Sequence, residues 1–207
     1  MTPRSATAET RRAAAALCGP ARRAVVIGAS AGGPSALQRL LPDLDPDLDA
    51  AVVVVVHLGP DGPDLLPSIL DASSALPVVL AEERRPVVSG LVQVAPSGYH
   101  LLVDREWHFN LTTDERVCYS RPSIDVLFKS AGEAYQDLVA GVVLTGASSD
   151  GADGLRRIRE LGGVALIQEP AEAEVDTMPR AALERAGADF CGPLALIAAR
   201  INRYGRR

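Results

Sequence analysis

The sequence predicts an α/β fold: a doubly wound, mainly parallel sheet with an inserted antiparallel hairpin. Three observations predict it. Short apolar runs alternate with stretches of helical periodicity along most of the chain. Five consecutive valines between residues 51 and 56 have no polar alternation, as expected of a strand covered on both faces. Several runs end in glycine or a polar residue, where a parallel strand turns into its crossover helix.

Each element follows in order. Residues 1–23, rich in Ala, Thr and Arg and without apolar periodicity, predict a flexible or weakly helical leader, and the folded domain is expected over 24–207. Residues 24–27 form a strand ending at Gly28, followed by a helix with Pro34 near its start and Leu37, Leu40 and Leu41 on one face. The valine strand closes at His57. A helix over 64–72 and a strand over 77–80 come next. From 86 to 119 the pattern shifts to short alternating pieces at 91–94, 100–103 and 107–111, and the last two meet at Asp104-Arg105, which predicts the hairpin. Ser123 has the position of an N-cap for a helix through Val126, Leu127, Ala131 and Ala134. A buried strand over 138–144, a helix over 153–161 stopped by Gly162-Gly163, a strand over 164–167 and helices over 179–186 and 194–202 complete the pattern.

Composition bounds the function. The 207 residues, 47% hydrophobic and 23% charged, suit one soluble domain, and with 4% aromatic residues its core must be aliphatic. The formal charge is −5; the leader's five arginines against Glu9 make +4, leaving −9 on the remainder. So acidic a body argues against nucleic-acid binding, which rests on basic phosphate contacts. Cys18, Cys118 and Cys191 are odd in number and widely spaced, so neither a disulfide framework nor a zinc site is written, and a reducing cytoplasm fits. Arg11-Arg12 precedes an apolar run too short for a signal peptide, and no later run approaches the ~20 residues of a membrane span, so no direct membrane insertion is expected.

Three constellations fall at predicted strand ends, where an open parallel sheet places its ligands. Gly28-Ala29-Ser30-Ala31-Gly32-Gly33 fits a nucleophile turn, since flanking glycines permit a sharp bend that exposes the serine hydroxyl. It equally fits a phosphate or dinucleotide turn, or a capping serine. Against the dinucleotide reading, the end of the second strand offers His57 where a ribose-gripping acid belongs. His57 suits a half-buried structural histidine or, beside Ser30, the base that a hydroxyl nucleophile needs. Asp150 and Asp153, after Thr145-Gly146-Ala147-Ser148-Ser149, suit helix caps, a metal site or, for Asp150, the orienter of His57. His100 and His108, in the hairpin region, have no metal-like spacing and are read as non-catalytic.

These pieces, with Ala95-Pro96-Ser97-Gly98-Tyr99-His100, Arg121-Pro122-Ser123-Ile124-Asp125-Val126-Leu127-Phe128, Leu144-Thr145-Gly146 with Asp150-Gly151-Ala152, and Met178-Pro179-Arg180-Ala181-Ala182, resemble the catalytic domain of the chemotaxis protein-glutamate methylesterase family, CheB, from Val25 to Arg200. The resemblance implies a cofactor-free, metal-free serine hydrolase that demethylates glutamyl esters of chemoreceptors and often deamidates glutamines. It implies Ser30 as nucleophile, His57 as base, Asp150 as third triad member, backbone amides of Ala31 and Ala147 toward the oxyanion, and Arg121 at the substrate rim, with Pro122 and Ser123 starting a helix. The order Ser, His, Asp separates the chain from ordinary α/β-hydrolases. Ala31 stands where many family members have threonine and Ala147 where methionine is common. The partner implied is a methyl-accepting chemoreceptor or similar methylated protein. Typical members carry an N-terminal receiver domain; with about 23 residues in its place, a freestanding domain with constitutive or trans-controlled activity is expected. A noncatalytic module of a chemosensory array and an esterase with another substrate are the alternatives.

Overall fold

The computed structural model describes residues 19–57 and 65–206. Most of the expected leader, residues 1–18, and the start of the helix expected over 64–72 lie outside the described residues. Ahead of the first strand, Ala21 is already buried and its N–H donates to the Val87 carbonyl at 2.7 Å.

Seven strands form one parallel sheet in the order β3-β4-β2-β1-β7-β8-β9. They are β1 Ala24–Ala29, β2 Ala51–Val56, β3 Val78–Leu80, β4 Val92–Val94, β7 Val139–Val143, β8 Val164–Gln168 and β9 Phe190–Gly192. Separately, β5 His100–Val103 and β6 Phe109–Thr112 pair antiparallel, as the Asp104-Arg105 turn predicts. The helices are α1 Gly33–Leu40, α2 Leu66–Asp71, α3 Ile124–Tyr135, α4 Ala152–Glu160, α5 Thr177–Arg185 and α6 Leu194–Tyr204.

Strand parity divides the core into two layers. Val25, Ile27, Val52 and Val54 face Leu37, Leu40, Leu70, Ile197 and Ile201 from α1, α2 and α6. Val26, Val53, Val55 and Val143 face Ile124, Leu127, Phe128, Leu155, Ile158 and Met178 from α3, α4 and α5. Covered on both sides, β1 and β2 are buried throughout, which explains their lack of polar alternation. The chain leaves β1 toward β2 on one side and later returns to β7 on the other. The strand order therefore reverses at β1, opening a crevice beyond the carboxyl ends of β1 and β7.

Two strands differ from the sequence pattern for physical reasons. The 91–94 piece alternates because of Gln93, yet it lies in the main sheet, where the Gln93 amide accepts from Val88 N at 2.9 Å and donates to the Pro86 carbonyl at 3.2 Å. A polar residue is thus satisfied inside a buried strand. β9 carries no apolar run at all; it is a three-residue edge strand, preceded by Asp189, whose carboxylate accepts from Ala165 N of β8 at 2.7 Å.

Gly28 controls how closely α3 approaches β1, because a Cβ there would lie 2.3 Å from Ile124 Cγ2. Replacement by alanine must push α3 away from the sheet and is expected to cost about 1–3 kcal/mol of unfolding free energy. In a double-mutant cycle by urea denaturation, Ile124→Ala is expected to recover part of the Gly28→Ala loss. Simple additivity would locate the strain elsewhere.

Candidate active site

Ser30 and His57 each extend a strand by one residue. Ser30 N donates to the Thr145 carbonyl at 3.0 Å, continuing the β1–β7 ladder, and His57 N donates to the Ala29 carbonyl at 3.1 Å, continuing β1–β2. The register pairs Ala29 with Val56, so the next residues are neighbours at the strand ends. Alternation sends both side chains to the face of Val26 and Val55, where α3 begins. Gly32, in the left-handed region at φ 76°, then turns the chain into α1.

His57 is held by Asp150. Its Nε2 lies 2.8 Å from Asp150 Oδ2, with the histidine side chain 12% exposed and the carboxylate fully buried. Nothing but a donor can face a carboxylate oxygen at that distance, so Nε2 carries the proton and Nδ1 is left as the basic nitrogen.

Burial would neutralise an unsupported aspartate. Around Asp150, Oδ2 also accepts from Ile124 N at 2.7 Å, and Oδ1 accepts from Ser123 Oγ at 2.9 Å and Asp125 N at 3.0 Å. Burial pushes its carboxyl up, but the hydrogen bonds from His57, Asp125, Ile124 and Ser123 outweigh it and hold the group below the ordinary carboxylate range. Four donors match its four lone-pair sites. Three of them belong to the first turn of α3, so this carboxylate is also the anion at that helix's N-terminus. Ser123 is the cap that the sequence indicates, accepting from Val126 N at 3.4 Å while donating to Asp150.

The arrangement is reciprocal. Asp125, in the first turn of α3, accepts from Gly151 N at 3.0 Å and Gly154 N at 2.6 Å at the start of α4, the helix that Asp150 precedes. Burial raises the Asp125 carboxyl; hydrogen bonding from Gly154 and Lys129, 3.5 Å away, only partly offset this. His100 adds a second brace: its buried Nδ1 accepts from Ser123 N at 3.1 Å, leaving Nε2–H to donate to the Glu115 carbonyl at 3.0 Å. Sequence reasoning reads His100 as non-catalytic and gives Asp125 no role of its own, so both braces are missed. The only hint is their place inside the two motifs around Ser97 and Ser123.

On the far side of Ser30, Thr145 joins three loops. Its hydroxyl donates to the Ala31 carbonyl at 2.9 Å and accepts from Val175 N at 2.9 Å, while its own N–H donates to buried Gln168 at 2.9 Å. Exposed Ala31 and Ala147 donate no backbone hydrogen bond among the described residues. Met178 is buried near the start of α5, as expected of a packing residue. Arg121 Nη1 donates to the Thr113 and Asp114 carbonyls at 2.7 and 3.1 Å, tying the chain after β6 to the start of α3. Asp153 is paired with Arg185 at 2.6 Å, apart from the His57–Asp150 contact. Ligand atoms of Cys118, Asp125 and Asp150 lie within 4.8 Å of one another, but a cation there would have to displace the donors that already occupy both Asp150 oxygens.

A doubly wound sheet that gathers a serine and a buried histidine–aspartate pair at its switch point puts this chain in the class of α/β proteins whose polar site lies beyond the carboxyl ends of the strands. The chain is a member of the CheB methylesterase family, whose model matches residues 25–201. A relative from Leptospira interrogans is 45% identical over 175 residues, covering 84% of this chain and 91% of its own length. The protein-glutamate methylesterase/protein-glutamine glutaminase of Symbiobacterium thermophilum is 40% identical over 182 residues, 88% of this chain and 50% of that protein. The crystal structure of the Thermotoga maritima CheB methylesterase catalytic domain matches with a TM-score of 0.83 and 31% identity, over 87% of this chain and 97% of that one. Among the described residues no helix is long and apolar enough to cross a membrane.

The Asp150 network makes stability depend on pH with a definite sign. A carboxyl held lower in the folded than in the unfolded state contributes stability that is present above the unfolded pKa, about 4, and lost as pH falls through the folded value. Asp125, raised, acts oppositely: folding favours its protonated form, so its contribution weakens as pH rises through the folded value. Asp150→Asn turns an NH₂ group against donors and is expected to cost about 2–4 kcal/mol at pH 7. Urea midpoints between pH 7 and 3 should accordingly fall less steeply below about pH 4 in this variant than in the wild type; parallel curves would count against the network.

Proposed function

We propose that this chain is a protein-glutamate methylesterase in which Ser30, His57 and Asp150 act as the triad. The single observation that carries this reading is the His57 Nε2–Asp150 contact at the strand end paired with Ser30. It supplies an oriented base beside a hydroxyl, which at neutral pH is otherwise too weakly acidic to attack an ester. In the proposed cycle Ser30 Oγ attacks the glutamyl carbonyl and His57 Nδ1 takes the hydroxyl proton. The oxyanion lies between the Ala31 and Ala147 amides. Collapse expels methanol, which leaves with the proton from His57. Water, deprotonated by the same nitrogen, then cleaves the acyl-serine to give a carboxylate and restore Ser30. Asp150 stays ionised throughout and stabilises the imidazolium.

The substrate proposed is a methylated glutamyl side chain of a chemoreceptor or similar protein, met in the cytoplasm, and residues 24–207 are proposed as the catalytic unit. The relatives' designation as protein-glutamine glutaminases also supports glutamine hydrolysis at the same site, with ammonia leaving in place of methanol. Arg121 is proposed to shape the rim through its hold on Thr113 and Asp114.

Methanol release from a methylated chemoreceptor fragment tests the reading. Ser30→Ala is expected to lower the rate roughly 10⁴-fold while leaving the unfolding midpoint close to that of the wild type, because chemistry and not packing is lost. A folded Ser30→Ala protein that releases methanol at a comparable rate would exclude Ser30 as nucleophile. Wild-type protein inert toward both the ester and a fluorophosphonate probe would favour the noncatalytic alternative.

A further inference from the structure

The loop between β8 and α5 carries four acidic residues, and three have clear partners. Glu169 accepts from Cys191 Sγ at 3.7 Å, Glu172 accepts from Arg39 at 2.7 Å and from Leu194 N at 2.8 Å, and Asp176 accepts from Arg180 at 2.6 Å. The fourth, Glu174, is exposed and has no hydrogen bond or ion pair among the described residues. Its position is nevertheless well defined. The next residue, Val175, is fastened on both sides, its N–H to Thr145 Oγ1 at 2.9 Å and its carbonyl to Gly146 N at 3.0 Å. The Glu174 side chain then lies over Gly32, where an added Cβ would stand 2.8 Å from Glu174 Oε2 and 3.0 Å from its Cδ.

Gly32 is the N-cap of α1 and lies two residues beyond Ser30. With at most two Cα steps of about 3.8 Å from Ser30 to Gly32 and the short reach from Gly32 to Oε2, this unpaired carboxylate is roughly 14 Å or less from the Ser30 hydroxyl. The N-terminus of α1 and the open Ala31 amide make a positive field there, which by itself favours any anion. Resting on the hydrolase reading above, we propose that Glu174 is a specificity residue that makes the site select neutral acyl groups over carboxylates. A glutamyl ester or glutamine amide enters uncharged, hydrolysis converts it into a carboxylate at the same place, and the fixed negative charge beside Gly32 weakens the hold on that product. One unit charge acting over roughly 10 Å amounts to about 2- to 17-fold in binding as the effective dielectric goes from 80 to 20. Exposure of Glu174 puts the expected effect toward the lower end.

The same field acts on the tetrahedral oxyanion, so turnover is a poor readout and binding of stable ligands a clean one. A fluorophosphonate probe labels Ser30, and protection by the side-chain carboxylate of N-acetylglutamate α-amide is compared with protection by its neutral isostere, N-acetylglutamine α-amide. In Glu174→Gln the half-protecting concentration of the carboxylate is expected to fall about threefold or more, that of the amide to change less than about 1.5-fold, and Glu174→Asp to restore most of the wild-type ratio. An unshifted carboxylate value, equal shifts for both ligands, or no protection of either protein by the carboxylate would overturn the inference. If the wild type is not labelled at Ser30, the hydrolase reading falls and this one with it, whereas labelling with unshifted protection overturns the role of Glu174 alone.

Discussion

Two helix starts exchange their carboxylates, and the rest of the site depends on that exchange. Asp150, just before α4, receives the first amides of α3; Asp125, in the first turn of α3, receives the first amides of α4. Each helix thereby satisfies donors that the other would leave unpaired in a buried environment, where an unmet N–H costs about 1–3 kcal/mol. Because the exchange is mutual, neither helix can slide along the other without breaking both sets. The orientation of α3 is fixed as a result, and with it the depth at which Ile124 meets Gly28 and the direction from which His57 meets Asp150.

The sheet supplies the complementary constraint. Parallel pairing in register brings the ends of β1 and β2 level, so Ser30 and His57 are neighbours without any direct tether between their side chains among the described residues. On the other flank, β7 ends level with β1 and hands its loop to Thr145, which links that loop to the turn after Ser30 and to the segment before α5. Rigid elements thus set the positions of Ser30 and His57. The loops contribute hydrogen bonds that stiffen their own backbones, so open amides and an exposed carboxylate can be held in place without partners of their own.

Much of this was legible in the sequence because it rests on local rules. Apolar runs without alternation mark central strands, Gly28 and Gly32 mark a tight turn, and Ser123 before an apolar helical stretch marks a cap. Parity alone predicts that Ser30 and His57 share a face once β1 and β2 are neighbours. Asp125 and His100 were not legible, since their roles are hydrogen bonds to backbone N–H groups more than 20 residues away, made by side chains whose neighbours in sequence look like ordinary helix and strand. The main-sheet place of β4 was hidden by Gln93, which imitates a solvent-facing position while its amide is consumed by Val88 and Pro86. Edge strand β9, three residues long, is too short to leave any periodic signal.

Asp125 and Asp150 also show how neighbours decide what burial does to a carboxyl. Both are nearly or fully buried aspartates at helix starts, each accepting backbone amides, yet the same burial ends in opposite shifts. The difference lies in how many donors face each carboxylate and in the Asp150 charge, which itself pushes Asp125 further up. Asp125 has two amides on one oxygen and a lysine at 3.5 Å from the other, which leaves much of the cost of burying its charge uncompensated. Asp150 has both oxygens doubly bonded, one to an imidazole. A carboxylate kept ionised in a water-poor site is what a neighbouring imidazole requires if it is to accept a proton and carry a positive charge for part of a cycle. Asp125 needs only to accept two amides, which it does in either protonation state. Of the two residues, it is therefore Asp150 whose surroundings are built around its charge.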